Sequence, residues 1–163
     1  MQNEQIPDLE PTLSGIHNRL FFRLFQAGNI LDRQSTKEMG ISPVNWAVLG
    51  ALSRKKVAAG MSFSDLTEYL GVSRQNLDGV LKRLERDDYV IRFADEVDRR
   101  VKLVKLTDTG RAYWESLQMK IYEFYSQALN GFVFDDKVAL VHFINRLNQG
   151  MKNVSLNNDD AGE

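Results

Sequence analysis

The chain has no cysteine, which removes disulfides, thiol nucleophiles, thiolate metal sites and cysteine redox sensing together. Histidine is nearly as scarce. His17 and His142 fall on different expected helices, so no catalytic or metal-spaced pair is available. No apolar run reaches the roughly 18 residues a membrane span needs. Residues 1–11 are polar and acidic and lack the basic start and apolar stretch of a secretory leader, so a cytoplasmic protein is expected. No glycine-rich phosphate loop and no nucleophile elbow occurs. The carboxylate pair Asp135-Asp136 sits at an expected helix start, where acids favour the positive end of the dipole. Neither a catalyst nor a cofactor-binding protein is expected, and no metal is called for.

What is present is an ordinary globular composition, 43% hydrophobic and 26% charged, in 163 residues. The net charge of −1 hides an asymmetry. Between Arg54 and Lys105 there are 12 basic and 9 acidic residues, whereas the rest of the chain holds 9 and 13. A basic middle with acidic flanks suits a lobe that faces phosphate, and equally a solvated surface of uneven charge.

Apolar spacing sets out the elements. Leu13, Ile16, Leu20, Phe21, Leu24, Phe25 and Leu31 recur at helical intervals, predicting a helix over about 12–37. Ser42-Pro43 reads as a cap followed by proline at the first helical position, opening a helix with Trp46, Leu49 and Leu52 on one side and an end near Arg54. Ser62, with Asp65 three residues on, caps a short helix whose buried side is Leu66, Tyr69 and Leu70. Gly71 ends it, and Ser73 caps the next helix after two residues. Helix, tight glycine turn and capped helix form a helix-turn-helix.

The helix over 73–87 turns Leu77, Val80, Leu81 and Leu84 inward. Its other side carries Gln75, Gly79, Lys82, Arg83 and Arg86, with Asn76 at the margin and Ser73 and Arg74 at the start. Amides read base edges and cations bind phosphate. Gly79 costs roughly 1 kcal/mol of helix propensity against alanine. Either it lets a duplex approach closely or it is a tolerated defect. Two strands follow, over about 89–93 and 101–106, joined by the polar tip Ala94-Asp95-Glu96-Val97-Asp98-Arg99-Arg100. Thr107 caps a helix over about 108–130, with Tyr113, Leu117, Ile121, Phe124 and Tyr125 along its apolar side. Residues 132–135 break it. A last helix over 135–152 places Leu140, Ile144, Leu147 and Met151 at helical spacing. The fold class is mainly α with a small β-wing. An arm and helix over 1–37, a winged lobe over 42–107, helices over 108–152 and a polar tail over 153–163 make up the chain.

The run from Asp98-Arg99-Arg100 through Leu106-Thr107-Asp108-Thr109-Gly110 resembles the signature of the MarR family of bacterial regulators. That signature is Asp-x-Arg, then a strand ending Leu-Thr-x-x-Gly. Element order and length extend the resemblance over about 12–152. It implies a homodimer whose terminal helices intertwine and whose two winged lobes read a palindrome in double-stranded DNA. Proteins of this kind commonly repress genes and release DNA when a small molecule binds. Carried onto this chain, the helix at 73–87 enters the major groove. Arg100 reaches the minor groove, its guanidinium oriented by a hydrogen bond that it donates to Asp98, and Arg99 meets phosphate. A planar, weakly hydrated guanidinium suits a narrow negative groove. A wing-stabilising ion pair is the other reading of Asp98 and Arg100.

Phe21, Phe22, Leu24, Phe25, Phe132, Phe134, Leu140, Phe143, Ile144 and Leu147 exceed what a small winged lobe covers. They suit either a core within the chain or the face of an obligate dimer. The resemblance also implies an effector site where the dimer helices meet the winged lobe. His17, Arg19, Arg23, Asn45, Trp46 and Tyr113 are its candidate lining, since arginine beside aromatics suits a carboxylate, phenolate or phosphate. The segment from Gly71 to Tyr89 is similar to regulators of hydroxycinnamate and other aromatic-acid catabolism. The candidate effectors are therefore aromatic acids, phenolics and coenzyme A thioesters. A DNA-binding protein without an effector and a winged-helix module that binds protein are the alternatives.

Overall fold

The computed structural model describes residues 11–156, with side chains from residue 15 onward. The acidic arm, the Leu13 side chain and the tail over 157–163 lie outside the described residues. Six α-helices are described: α1 (Pro11–Met39), α2 (Pro43–Leu52), α3 (Phe63–Leu70), α4 (Arg74–Arg86), α5 (Asp108–Ala128) and α6 (Phe134–Lys152). Strands β1 (Met61–Ser62), β2 (Val90–Ala94) and β3 (Lys102–Leu106) form an antiparallel sheet in the order β1-β3-β2. The mainly α class with a β-wing is observed. The chain divides within α5 into two compact units, one ending at Tyr122 and the other starting at Glu123.

Capping fixes most boundaries. The Ser42, Ser62 and Ser73 hydroxyls accept hydrogen bonds from the backbone N–H of Asn45, Asp65 and Asn76 at 3.4, 3.0 and 3.1 Å. Gly71 adopts φ 66°, the left-handed conformation that stops α3 and aims the chain at Ser73. Helix α2 ends at Leu52, slightly earlier than expected. There the Ser53 hydroxyl and the Arg54 Nε donate to the Gly50 and Ala51 carbonyls, both at 2.9 Å. A short 3-10 turn over Lys55–Val57 then leads into β1. Neither the turn nor this strand was anticipated. Two residues are too few to show alternation, and β1 exists through its pairing, Met61 with Val104 and Ser62 with Leu103.

The winged lobe has one core. Val48, Leu49 and Leu52 of α2 meet Leu66 of α3, Leu77, Val80, Leu81 and Leu84 of α4, and Val90, Val104 and Leu106 of the sheet. All are buried, as the helical spacing of α4 requires. Tyr69 departs from expectation. It is exposed, with the Arg54 guanidinium 4.3 Å above its ring. A helix of eight residues has room for one deep side chain, and Leu66 takes that place.

The start of α5 explains the Leu-Thr-x-x-Gly signature. Thr107 Oγ1 accepts the Gly110 N–H at 2.8 Å, while its own hydroxyl donates to the Asp88 carbonyl. The Thr107 N–H donates to the Tyr89 carbonyl at 3.1 Å. The first turn of α5 and the residue before β2 lie so close here that a Cβ at position 110 would fall well inside the van der Waals radius of the Tyr89 carbonyl oxygen.

Helices α1 and α6 each leave an apolar surface uncovered. On α1 these residues include Ile16, Leu20, Phe21, Phe22 and Phe25, the last 65% exposed. On α6 they include Phe134, Val138, Leu140, Val141 and Phe143, the last 61% exposed. No residue of α6 is buried. Its first turn is held by Asp136, whose carboxylate accepts the Val133 N–H at 3.0 Å. No helix among the described residues is long and apolar enough to cross a membrane.

Candidate nucleic-acid interface

Burial of Leu77, Val80, Leu81 and Leu84 fixes the rotation of α4, so its opposite face points outward by necessity. Ser73, Arg74, Gln75, Asn76, Lys82, Arg83 and Arg86 are all exposed. Gly79 lies among them, and a Cβ added there would meet nothing within 4 Å. The packing of the chain therefore does not require glycine at this position.

These cations are lightly held. Lys82 Nζ rests 2.8 Å from Asp78 Oδ2, and Arg86 Nε 3.3 Å from Asp87 Oδ1, both pairs open to water. Such pairs contribute little and exchange readily for another anion. Arg74 donates from Nη1 to the Ser64 hydroxyl at 3.1 Å and stands 4.9 Å over the Phe63 ring.

The wing tip is shaped by its acids. Asp95 Oδ1 accepts the N–H groups of Val97 and Asp98 at 2.9 and 2.8 Å, turning the chain without a glycine. Asp98 Oδ1 accepts the Arg100 backbone N–H at 3.0 Å. The Arg100 Nε lies 3.8 Å from the same oxygen, beyond hydrogen-bond reach, and the side chain is 96% exposed. The orienting hydrogen bond thus goes to the main chain of Arg100 rather than to its guanidinium. Arg99 is exposed beside it.

A cleft of about 470 Å³ joins the two surfaces. Phe63, Ser64, Arg74 and Asp78 border it from the helix side, and Arg92, Arg100 and Lys102 from the wing. Lys102 and Ser64 were missed in the sequence. Lysine on a strand and serine in a first turn carry no signal until the wing folds back. Also missed was Arg92, in the middle of β2. Its Nε and Nη2 donate to the two oxygens of Glu85 at 2.9 and 2.6 Å, and its Nη1 donates to Asp78 at 2.6 Å. Hydrogen bonds to these carboxylates hold the Arg92 guanidinium well above the ordinary arginine range. Lys82 first, then Arg92, hold the Asp78 carboxyl below the usual carboxylate range.

The six candidate effector residues do not line that cleft. His17, Arg19 and Arg23 are exposed on α1, where Arg23 donates to Gln26 one turn on at 2.8 Å. Trp46 is partly buried on α2. Asn45 beside it has a buried side-chain oxygen with no hydrogen-bond donor among the described residues. Tyr113 is engaged elsewhere. Its ring stacks on Tyr89 with centroids 4.2 Å apart and planes 4° from parallel, and burial raises its hydroxyl pKa. Its place in α5, one turn after Gly110, puts it against Tyr89, the residue whose backbone Gly110 approaches.

Residues 39–101 match the MarR family. Over 150 residues the chain is 46% identical to the transcriptional activatory protein BadR of Rhodopseudomonas palustris, covering 90% of this chain and 85% of that one. It is 28% identical over 132 residues to the homoprotocatechuate degradative operon repressor of Escherichia coli, covering 79% and 87%. Among solved structures, the PcaV transcriptional regulator of Streptomyces coelicolor, in complex with its natural ligand, superposes with a TM-score of 0.68 at 26% identity. That match covers 81% of this chain and 91% of that one. Similarity of this extent, on a lobe whose wing signature is accounted for residue by residue, leads to one assignment: the chain belongs to the MarR family and is a winged-helix transcriptional regulator.

Proposed function

We propose that the protein binds a palindromic operator as a homodimer and releases it when a small aromatic acid, phenolic or acyl-CoA thioester binds. The observation that carries the DNA reading is the shared cleft, bordered by Arg74 at the start of α4 and by Arg100 and Lys102 of the wing. One backbone can lie across both borders while Gln75 and Asn76 face base edges and Arg83 and Arg86 face phosphate. Arg100, hydrogen-bonded to Asp98 through its main chain and with its side chain 96% exposed, can enter a minor groove. The uncovered apolar faces of α1 and α6 support the dimer. Patches of this kind on a soluble chain mark an interface, and two copies supply the two half-sites.

The effector reading rests on Asn45 and Trp46 and on the relatives. A buried oxygen without a donor, one residue before Trp46 on α2, suits a ligand that brings a hydrogen-bond donor. One relative is named for control of homoprotocatechuate degradation. Repression is the mode proposed, because release of DNA then switches genes on when substrate is present. The relative named as an activator favours the second reading, in which the same dimer helps polymerase to bind.

Fluorescence anisotropy with the DNA upstream of the protein's own gene tests the first part. Saturable binding that is retained over non-specific competitor is expected, and binding equal to that of random duplex removes the operator reading. Thermal shift against aromatic acids and acyl thioesters tests the second, since a ligand of the native state raises the melting temperature. Run-off transcription with and without protein separates repression from activation.

A further inference from the structure

Arg92 and Arg100 sit eight residues apart on one wing, and their surroundings are opposite. The Arg100 side chain is 96% exposed and the Arg92 side chain 25%. Arg92 spends its guanidinium on Asp78 and Glu85, two acids seven residues apart and therefore on one side of α4. From the DNA-binding reading above, we propose that Arg92 is a positioning residue. It clamps the wing to the recognition helix at a fixed angle, and although it lines the cleft its guanidinium is given to the two acids rather than to phosphate.

Three features of the clamp support this. First, its strand position is fixed. Arg92 pairs with Val104 of β3, a fully buried residue, so the guanidinium is presented from the firm part of the hairpin rather than from its tip. Second, the geometry needs a planar fork. One guanidinium meets both oxygens of Glu85 and one of Asp78, which a lysine ammonium, a compact point charge, does not reproduce. Third, Asp78 is shared with Lys82, an exposed cation of the face assigned to phosphate. While Arg92 donates to both Asp78 and Glu85, each carboxylate keeps a charged hydrogen-bond donor, and Lys82 can leave Asp78 for a phosphate without stranding the acid.

The test uses the full chain and the duplex that the wild type selects from a random-sequence library, with affinity followed over roughly 50–200 mM salt. Arg92→Lys should weaken binding about tenfold, the scale of one charge-assisted hydrogen bond. The salt slope of the charge-removing variant Arg92→Gln should match wild type, because no phosphate contact is removed. Glu85→Gln gives an opposed sign. Removing an acid beside a DNA-binding face strengthens binding by charge alone, whereas loss of the bidentate clamp should weaken it severalfold. Circular dichroism melts establish that each variant is folded, and Glu85→Gln decides the matter should Arg92→Lys fail to fold. Unchanged affinity in folded Arg92→Lys, tighter binding by Glu85→Gln, or a slope lowered by about one in Arg92→Gln would each overturn the clamp. The last would make Arg92 a phosphate contact. Failure of the wild type to select any duplex would remove the DNA-binding reading and the clamp with it. Selection by the wild type with unaffected variants would remove the clamp alone.

Discussion

Single residues in the wing divide into those that build it and those that it presents. Thr107 and Gly110 build. The threonine caps α5, and the glycine lets the first turn of α5 touch the Tyr89 backbone. Gly110→Ala should therefore destabilise the fold by about 3 kcal/mol or more, because the added carbon meets backbone that cannot swing aside. Urea denaturation checks this, and a loss under about 1 kcal/mol would mean the contact relaxes. Both residues were visible in the sequence as part of a signature, but the reason for the glycine was not. It depends on a carbonyl 21 positions earlier. Arg92 was invisible for the same reason, since its partners lie 7 and 14 residues away on another element. Tyr69 was misread from helical spacing alone. That spacing states which side of a helix a residue occupies and not what covers it.

At the scale of elements, local chemistry was enough. Serine caps, the Gly71 turn and the inward stripe of α4 follow from nearest-neighbour rules, and each formed where its residues stood. What local rules missed was pairing, namely β1 and the cleft between helix and wing, which exist only once the lobe has closed. In the proposed reading, DNA binding rests on the outward face of α4. Lys82→Ala should lower the slope of log affinity against log salt by about 1, as expected for a lost phosphate contact. The exposed Lys82–Asp78 pair does not oppose this, because such pairs exchange partners at little cost. An unchanged slope would assign phosphate contact to other residues of that face.

The whole molecule has an unfinished surface. Phenylalanines on α1 and on α6 stand in water in the single chain, and water around such faces is what a second copy would remove. Sedimentation equilibrium should give about twice the 18.7 kDa mass of the chain for wild type. Phe25→Glu on α1 should shift the balance to monomer while leaving the winged lobe folded, since Phe25 takes no part in the core of that lobe. A dimer that persists unchanged in the variant would move the interface away from that part of α1. The apolar excess of the terminal helices was legible from the sequence, whereas the partner that covers it was not, because counting does not separate an internal core from a shared one. Two lobes held by such an interface would meet a duplex at two places. Hydroxyl-radical footprinting on the selected duplex tests this most directly. Two protected half-sites roughly 10 base pairs apart are expected, each flanked by minor-groove protection that Arg100→Ala abolishes. A single protected half-site, or flanking protection that survives Arg100→Ala, would contradict it.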